Sequence, residues 1–196
     1  MNQPIGPLIE NWKIPCHPPK SILKGKYCYV EPINLERHAQ NLFDANALDT
    51  QGLCWTHLFY GPFISFADYC KWLESSCLGK DPQFYAVIDL KSKKAVGLAS
   101  YLRIDPKNGT IELGHINFSP LLKQKTAATE AMILLIANAF ELGYRRFEWK
   151  CDALNAPSRI AAERLGFTFE GIFRQAVIIK GRNRDTAWYS IIDKDW

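Results

Sequence analysis

Two hydrophobic periods run along this chain, and the change from one to the other organises it. From Asn34 or Leu35 through Ala39, Leu42, Phe43 and Ala47, apolar residues recur at helical spacing. Phe66–Leu78 repeats that pattern with Ser65 as a plausible cap, after an aromatic-rich loop over 50–65. Upstream, Lys26–Pro32 is rich in β-formers and reads as a first strand. Beyond the second helix come two strands, Gln83–Asp89 and Ala95–Ile104, joined by a turn at Lys91–Lys94. A tight Asp105–Gly109 turn, whose Asn-Gly step tolerates positive φ, leads into Thr110–Phe118. A helix then runs to about Glu141, followed by a strand at Phe147–Cys151 and a helix that opens at Asn155-Ala156-Pro157-Ser158 and stops at Gly166. Thr168–Ile179 and Thr186–Ile192 form a closing pair around a turn near 180–184. This order predicts a single mixed α/β domain over 26–196.

Residues 1–25 hold five prolines and no sustained period, which predicts an extended N-terminal arm on the body or a loose tail. The net charge of +4 is mild, and the basic residues are dispersed except near Arg174, Lys180, Arg182 and Arg184. That distribution argues against a nucleic-acid binder, which concentrates its charge on one face. Six cysteines form no CxxC pair, so neither a disulfide scaffold nor a zinc site is expected, and no metal is predicted. The longest apolar run, around Met132–Phe140, is too short for a bilayer, and the N-terminus has no charged-then-apolar leader. A cytoplasmic protein without a membrane partner is the expectation.

Candidate chemistry concentrates between Glu112 and Gly171. The loop Lys123-Gln124-Lys125-Thr126-Ala127-Ala128 joins a strand to a helix start. Free N–H groups and the helix dipole there favour an anion, and phosphate above all. Three pieces of the segment are distinctive: Glu112-Leu113-Gly114-His115 through Pro120, the loop from Lys123 to Ala131, and Asn155-x-x-Ser158 followed by Leu165-Gly166-Phe167 and Glu170-Gly171. Together they resemble the GNAT superfamily of acyl-CoA-dependent N-acyltransferases, in particular its ribosomal-protein N-terminal acetyltransferase-like branch. The chain departs from the family's loop pattern at two places, with Thr126 in place of the central glycine and Lys123 in place of Arg or Gln.

The resemblance implies a mixed sheet of about seven strands with a V-shaped splay between strands four and five and about four flanking helices. It implies acetyl-CoA in that splay. Asn117 and Phe118 would meet the pantetheine arm, Lys123, Gln124, Lys125, Thr126, Ala127 and Ala128 the diphosphate, and Asn155 the arm's amide. The acyl carbon would lie near Glu112, His115 and Ser158. Glu112 is then the candidate base, or else a structural carboxylate paired with an arginine such as Arg174. Many family members use a tyrosine in the late helix, but residues 159–165 contain none, so Ser158 is the candidate donor to the departing thiolate, or else a capping or first-turn serine. His115 is an alternative proton carrier or a packed imidazole. Trp55, Phe59, Tyr60 and Phe63 would either roof the acceptor pocket or close the core beneath their loop.

The activity implied is acetyl transfer from acetyl-CoA to a primary amine, on a small molecule or a protein N-terminus. Two other classes stay open: a non-catalytic coenzyme A sensor, and an RNA or ribosome interaction module using the basic hairpin. The sequence is silent on oligomeric state, and a homodimer is left open.

Overall fold

The computed structural model describes residues 3–196, in which eight strands form one sheet. They are β1 (Leu23–Lys24), β2 (Cys28–Pro32), β3 (Gln83–Asp89), β4 (Ala95–Asp105), β5 (Thr110–Phe118), β6 (Arg146–Asp152), β7 (Thr168–Ile179) and β8 (Arg182–Ile192). Their spatial order is β1-β2-β3-β4-β5-β6-β8-β7. Four helices accompany them: α1 (Leu35–Ala47), α2 (Phe66–Ser76), α3 (Thr126–Glu141) and α4 (Ala156–Arg164). The sheet has one strand more than expected because Leu23 and Lys24 pair with Val30 and Tyr29. β8 starts four residues earlier than its apolar pattern suggested, since Lys180 and Gly181 alone make the turn, both with positive φ.

α1 and α2 begin where their caps predict. Asn34 accepts from the Arg37 N–H at 2.9 Å and Ser65 from the Asp68 N–H at 3.1 Å. The two helices lie on one face of β2–β4, where Leu42, Tyr69, Leu73, Phe84, Ala86 and Leu98 form an apolar cluster. α3 covers the opposite face with Ala131, Met132, Leu135, Ile136 and Ala139 against Tyr101, Ile111, Leu113 and Phe147. Its Glu130 carboxylate accepts the backbone N–H groups of Lys26, Tyr27 and Cys28 at 2.7–2.8 Å, which ties the β1–β2 turn to the helix. The segment before β1 lies on the body: Tyr144 Oη donates to the Cys16 carbonyl, Gln83 Nε2 to that of Pro18, and Trp12 packs over Gly109 and Arg145.

Every neighbouring pair is antiparallel except β5–β6, which α3 connects as a crossover. That parallel ladder runs from Thr110/Arg146 to Leu113/Trp149 and stops. β5 continues to Phe118 and β6 to Asp152 with no pairing between them. A bulge accounts for the parting. Ser100 faces Gly114 but Leu98 faces Asn117, so three steps of β5 oppose two of β4, and His115 takes φ 50°. The extra residue bends the end of β5 away from β6, which stays zipped to β8 as far as Asp152. A slot opens between them.

Candidate active site

The slot ends at the start of α3, whose N-cap Lys125 makes no side-chain capping bond. Among the described residues, the N–H groups of Gln124, Thr126 and Ala127 find no acceptor, whereas those of Lys123, Lys125 and Ala128 are used inside the turn. Three free donors on a helix N-terminus, flanked by two exposed lysines, suit a diphosphate. Left-handed backbone falls on Gln124, at φ 61°, and not on Thr126, which is already the first residue of the helix. Thr126 therefore sits without the strain that would demand glycine. Beside this turn Asn117 is fully buried, and neither its Oδ1 nor its Nδ2 has a partner. Orphaned amide atoms in a folded chain call for a ligand or water, and these lie near the Cys54 thiol.

On the β4–β5–β6–β7 face away from α3 the strands carry a ladder of alternating charges. Glu112 is 3% exposed, and its Oε2 meets both Arg103 and the Lys150 Nζ, the latter at 2.8 Å. Lys150 also pairs with Glu148 at 2.7 Å and lies 3.7 Å from the Trp188 ring centroid. Arg146 joins Glu148 to Glu170. Hydrogen bonding to Arg146, chiefly, holds the Glu170 carboxyl down at about 2. Glu112 is thus paired, with Lys150 and Arg103 and not with Arg174. Its Oε1 accepts no hydrogen bond among the described residues.

His115 sits on the bulge with its Nδ1 3.1 Å from Tyr60 Oη, and its ring centroid lies 5.1 Å from that of Phe84. Burial, with the nearby Arg103 charge adding to it, lowers its pKa to about 4, so it is neutral at pH 7. Across the slot, Asn155 caps α4 by accepting from the Ser158 N–H at 3.2 Å. Ser158 Oγ accepts from Trp149 Nε1 at 3.0 Å, which leaves its own proton uncommitted. Trp149 faces α4, whereas Glu112 faces the charged ladder, so Ser158 and Glu112 flank the slot from opposite sides.

The aromatic loop divides its labour. Trp55 is buried and packs edge-on to Tyr60, Phe63 and Trp72, so these rings close the core over α2. A hollow of about 320 Å³ lies beside them, bordered by Phe43, Asn46 and Tyr69 among others, and none of Glu112, His115 or Ser158 lines it. Tyr60 also reaches His115, and Phe59 is exposed over Arg184 at 5.8 Å. The β7–β8 turn comes across to this loop, where Lys180 Nζ donates to the Trp55 carbonyl at 2.8 Å. With Arg184 buried and Lys180 bonded to the loop, only Arg174 and Arg182 of the four basic hairpin residues point freely outward. Sequence patterns missed Arg103 and Lys150, and offered Arg184 and Trp188 only as part of a basic hairpin that either steers an acidic acceptor or is merely solvated. Lys150 is the one an attentive reading could have questioned, since it stands between two acidic positions on a central strand.

A family model for the acetyltransferase (GNAT) domain matches residues 30–168. The chain belongs to the GNAT acetyltransferase family. It is similar to the crystal structure of a GCN5-related N-acetyltransferase from Brucella melitensis, with 46% identity and a TM-score of 0.93 over 96% of this chain and 86% of that one. It is also similar to a Chromobacterium violaceum ATCC 12472 protein described as a probable acetyltransferase of the GNAT family. There the identity is 41% and the TM-score 0.92, over 99% and 97% of the two chains. The ribosomal-protein-serine acetyltransferase of Escherichia coli (strain K12) is 35% identical over 106 residues, 53% of this chain and 58% of that protein. The matched stretches span only 55% to 63% of the curated relatives. The GNAT fold includes the expected mixed sheet and splay, with the parting between β5 and β6 once the short β1 is counted.

Proposed function

We propose that the protein transfers an acetyl group from acetyl-CoA to a primary amine, on a small molecule or a protein N-terminus; the Escherichia coli relative is named a ribosomal-protein-serine acetyltransferase. One observation carries this reading: the slot beyond Leu113/Trp149 runs onto three unpaired amides at the α3 N-terminus. Acetyl-CoA, when bound, supplies a thioester carbonyl open to attack by an amine. Gln124, Thr126 and Ala127 would hold its diphosphate through their N–H groups, with Lys123 and Lys125 adding charge and Ala128 lining the same turn. Asn117, Phe118 and Asn155 would face its arm, with the Asn117 amide gaining the partners it lacks.

An alkylamine with a pKa near 10 arrives protonated at neutral pH. Glu112 Oε1, free of other bonds, would bind that ammonium and accept its proton. Lys150 and Arg103 on Oε2 fix the orientation of the carboxylate. The neutral His115 relays through Tyr60 or orders a water; burial has made it too weak a base to act alone. Ser158, whose lone pair is taken by Trp149, is left with a proton to offer a departing thiolate. Phe59 and Tyr60 present ring faces to a cationic acceptor.

Thiol release from acetyl-CoA against a panel of amines and N-terminal peptides tests this directly. Release with at least one amine, reduced about 100-fold in Ser158→Ala, is expected. One observation favours a second reading, a coenzyme A sensor: Glu112 is already engaged by two cations. Tight coenzyme A binding with no thiol released by any amine would select that alternative.

A further inference from the structure

The enclosed cations Lys150 and Arg146 on the charged face are matched by carboxylates, as is the exposed Arg103, and Arg184 is the exception. Arg103 and Lys150 pair with Glu112, and Arg146 with Glu148 and Glu170. Arg184 is 8% exposed and has no carboxylate at ion-pair distance among the described residues. Its Nε donates to Thr186 Oγ1 at 3.2 Å, and its other guanidinium nitrogens donate to nothing. The nearby Asp152 is turned to other partners, His57 Nδ1 at 3.3 Å and the Leu154 N–H at 2.9 Å. Burial disfavours the charged guanidinium, and the Asp152 charge only partly offsets this. A buried, unpaired cation is costly to maintain, and a ligand is one way to recover that cost.

Its surroundings point to the kind of ligand. The enclosed, unpartnered side-chain atoms among the described residues belong to Asn46, Tyr69 and Asn117, so the free Arg184 nitrogens keep some contact with solvent. Alternation along β8 puts Arg184 on the same face as Thr186 and Trp188, and Trp188 is in register with Lys150. Register across β5, β6 and β8 puts Glu112, Lys150, Trp188 and Arg184 on one face of the sheet, with the Phe59 ring over the guanidinium. A carboxylate for an ammonium and, deeper along the strand, a guanidinium fork for an anion make a matched pair of opposite sites.

We propose that Arg184 binds a carboxylate of the acceptor, so that the amine acetylated at Glu112 belongs to a molecule carrying both groups. This inference rests on the acetyl-transfer reading for the same cleft. Two sources offer that chemistry, a free amino acid and a peptide N-terminus with an acidic residue beside it.

The test compares kcat/KM for amino acids against their α-amides, and for short peptides with Asp against Asn at the second residue. The wild-type chain is expected to favour the carboxylate member of one series by at least about 30-fold, and the responding series identifies the source. Arg184→Met brings that ratio close to unity, and Arg184→Lys, which keeps charge but loses the fork, leaves it in between. A wild-type ratio near unity in both series, or one that both variants preserve, overturns the proposal. Calorimetric titration of the CoA-loaded chain with the N-acetylated acids and their amides decides the matter without turnover. Acids that bind no tighter than amides sink the carboxylate site. Acids that bind tighter, with no amine releasing thiol, leave that site standing and remove the acetyl-transfer reading.

Discussion

The two halves of the sheet are built on opposite principles. Over β2–β4, one face is sealed by α1 and α2 through an apolar cluster in which Leu42 and Leu73 are fully buried. Over β5–β8 the same face has no helix, and in place of side chains that interlock it carries Glu112, Lys150, Glu148, Arg146 and Glu170 in alternating sign. The first half obtains stability from area removed from water. The second leaves a parallel seam unzipped and buries ions around it, which adds little net stability but orients charged groups around a cleft. Stability and chemistry are thus separated along one sheet, with the bulge at His115 as the divide.

Substitutions on either side should behave differently, and the largest effect is expected at the seam. Glu112→Gln should lower turnover by about 10²–10⁴-fold while the chain stays folded, read from thiol release alongside a thermal melt. Unchanged turnover would return Glu112 to a structural role. Lys150→Met leaves the Glu112 and Glu148 carboxylates side by side in register with their shared cation gone. Urea unfolding should show a loss of about 3–5 kcal/mol, much of it recovered by adding Glu148→Gln. In the apolar half, Leu42→Ala should cost about 3 kcal/mol by the same measurement, with kcat of the folded fraction unaltered. A kcat change there would mean the two halves are coupled.

The smallest effect concerns pH. The unfolded chain protonates His115 near pH 6.5, but the folded chain only near about 4. Between those values the unfolded state binds more protons, so stability falls as pH drops through that window. His115→Asn, which tolerates the positive φ, should flatten the melting temperature between pH 6.5 and 4 relative to the parent. An identical slope would show that the imidazole is not shielded as described.

Much of this division was readable in the sequence. α1, α2, β3 and β5 follow from period and caps, because their neighbours demand a clean apolar stripe or alternation. The loop before α3 announced its free amides through its place between strand and helix. Arg146, Glu148, Lys150 and Asp152 were harder, since alternating charge on a strand is the pattern of a solvated face. Burial came from Trp188 and the Lys180-to-Trp55 bridge, which are contacts across long sequence separations. Arg184 hid for a related reason: next to a Gly-containing turn it reads as hairpin surface, while β8 in fact begins at Arg182 and carries it inward. Glu130, which binds the β1–β2 turn, gave no signal because its partners are backbone amides about a hundred residues away.

The central claim is that the unzipped end of β5–β6 and the α3 N-terminus form one site for a diphosphate-bearing thioester. Hydrogen exchange with and without saturating coenzyme A addresses it at the atoms concerned. Exchange at the Gln124, Thr126 and Ala127 amides should slow markedly on binding, while the apolar half of the sheet stays as it was. If the coenzyme protects some other segment and leaves those three amides exchanging freely, the account of this cleft is wrong.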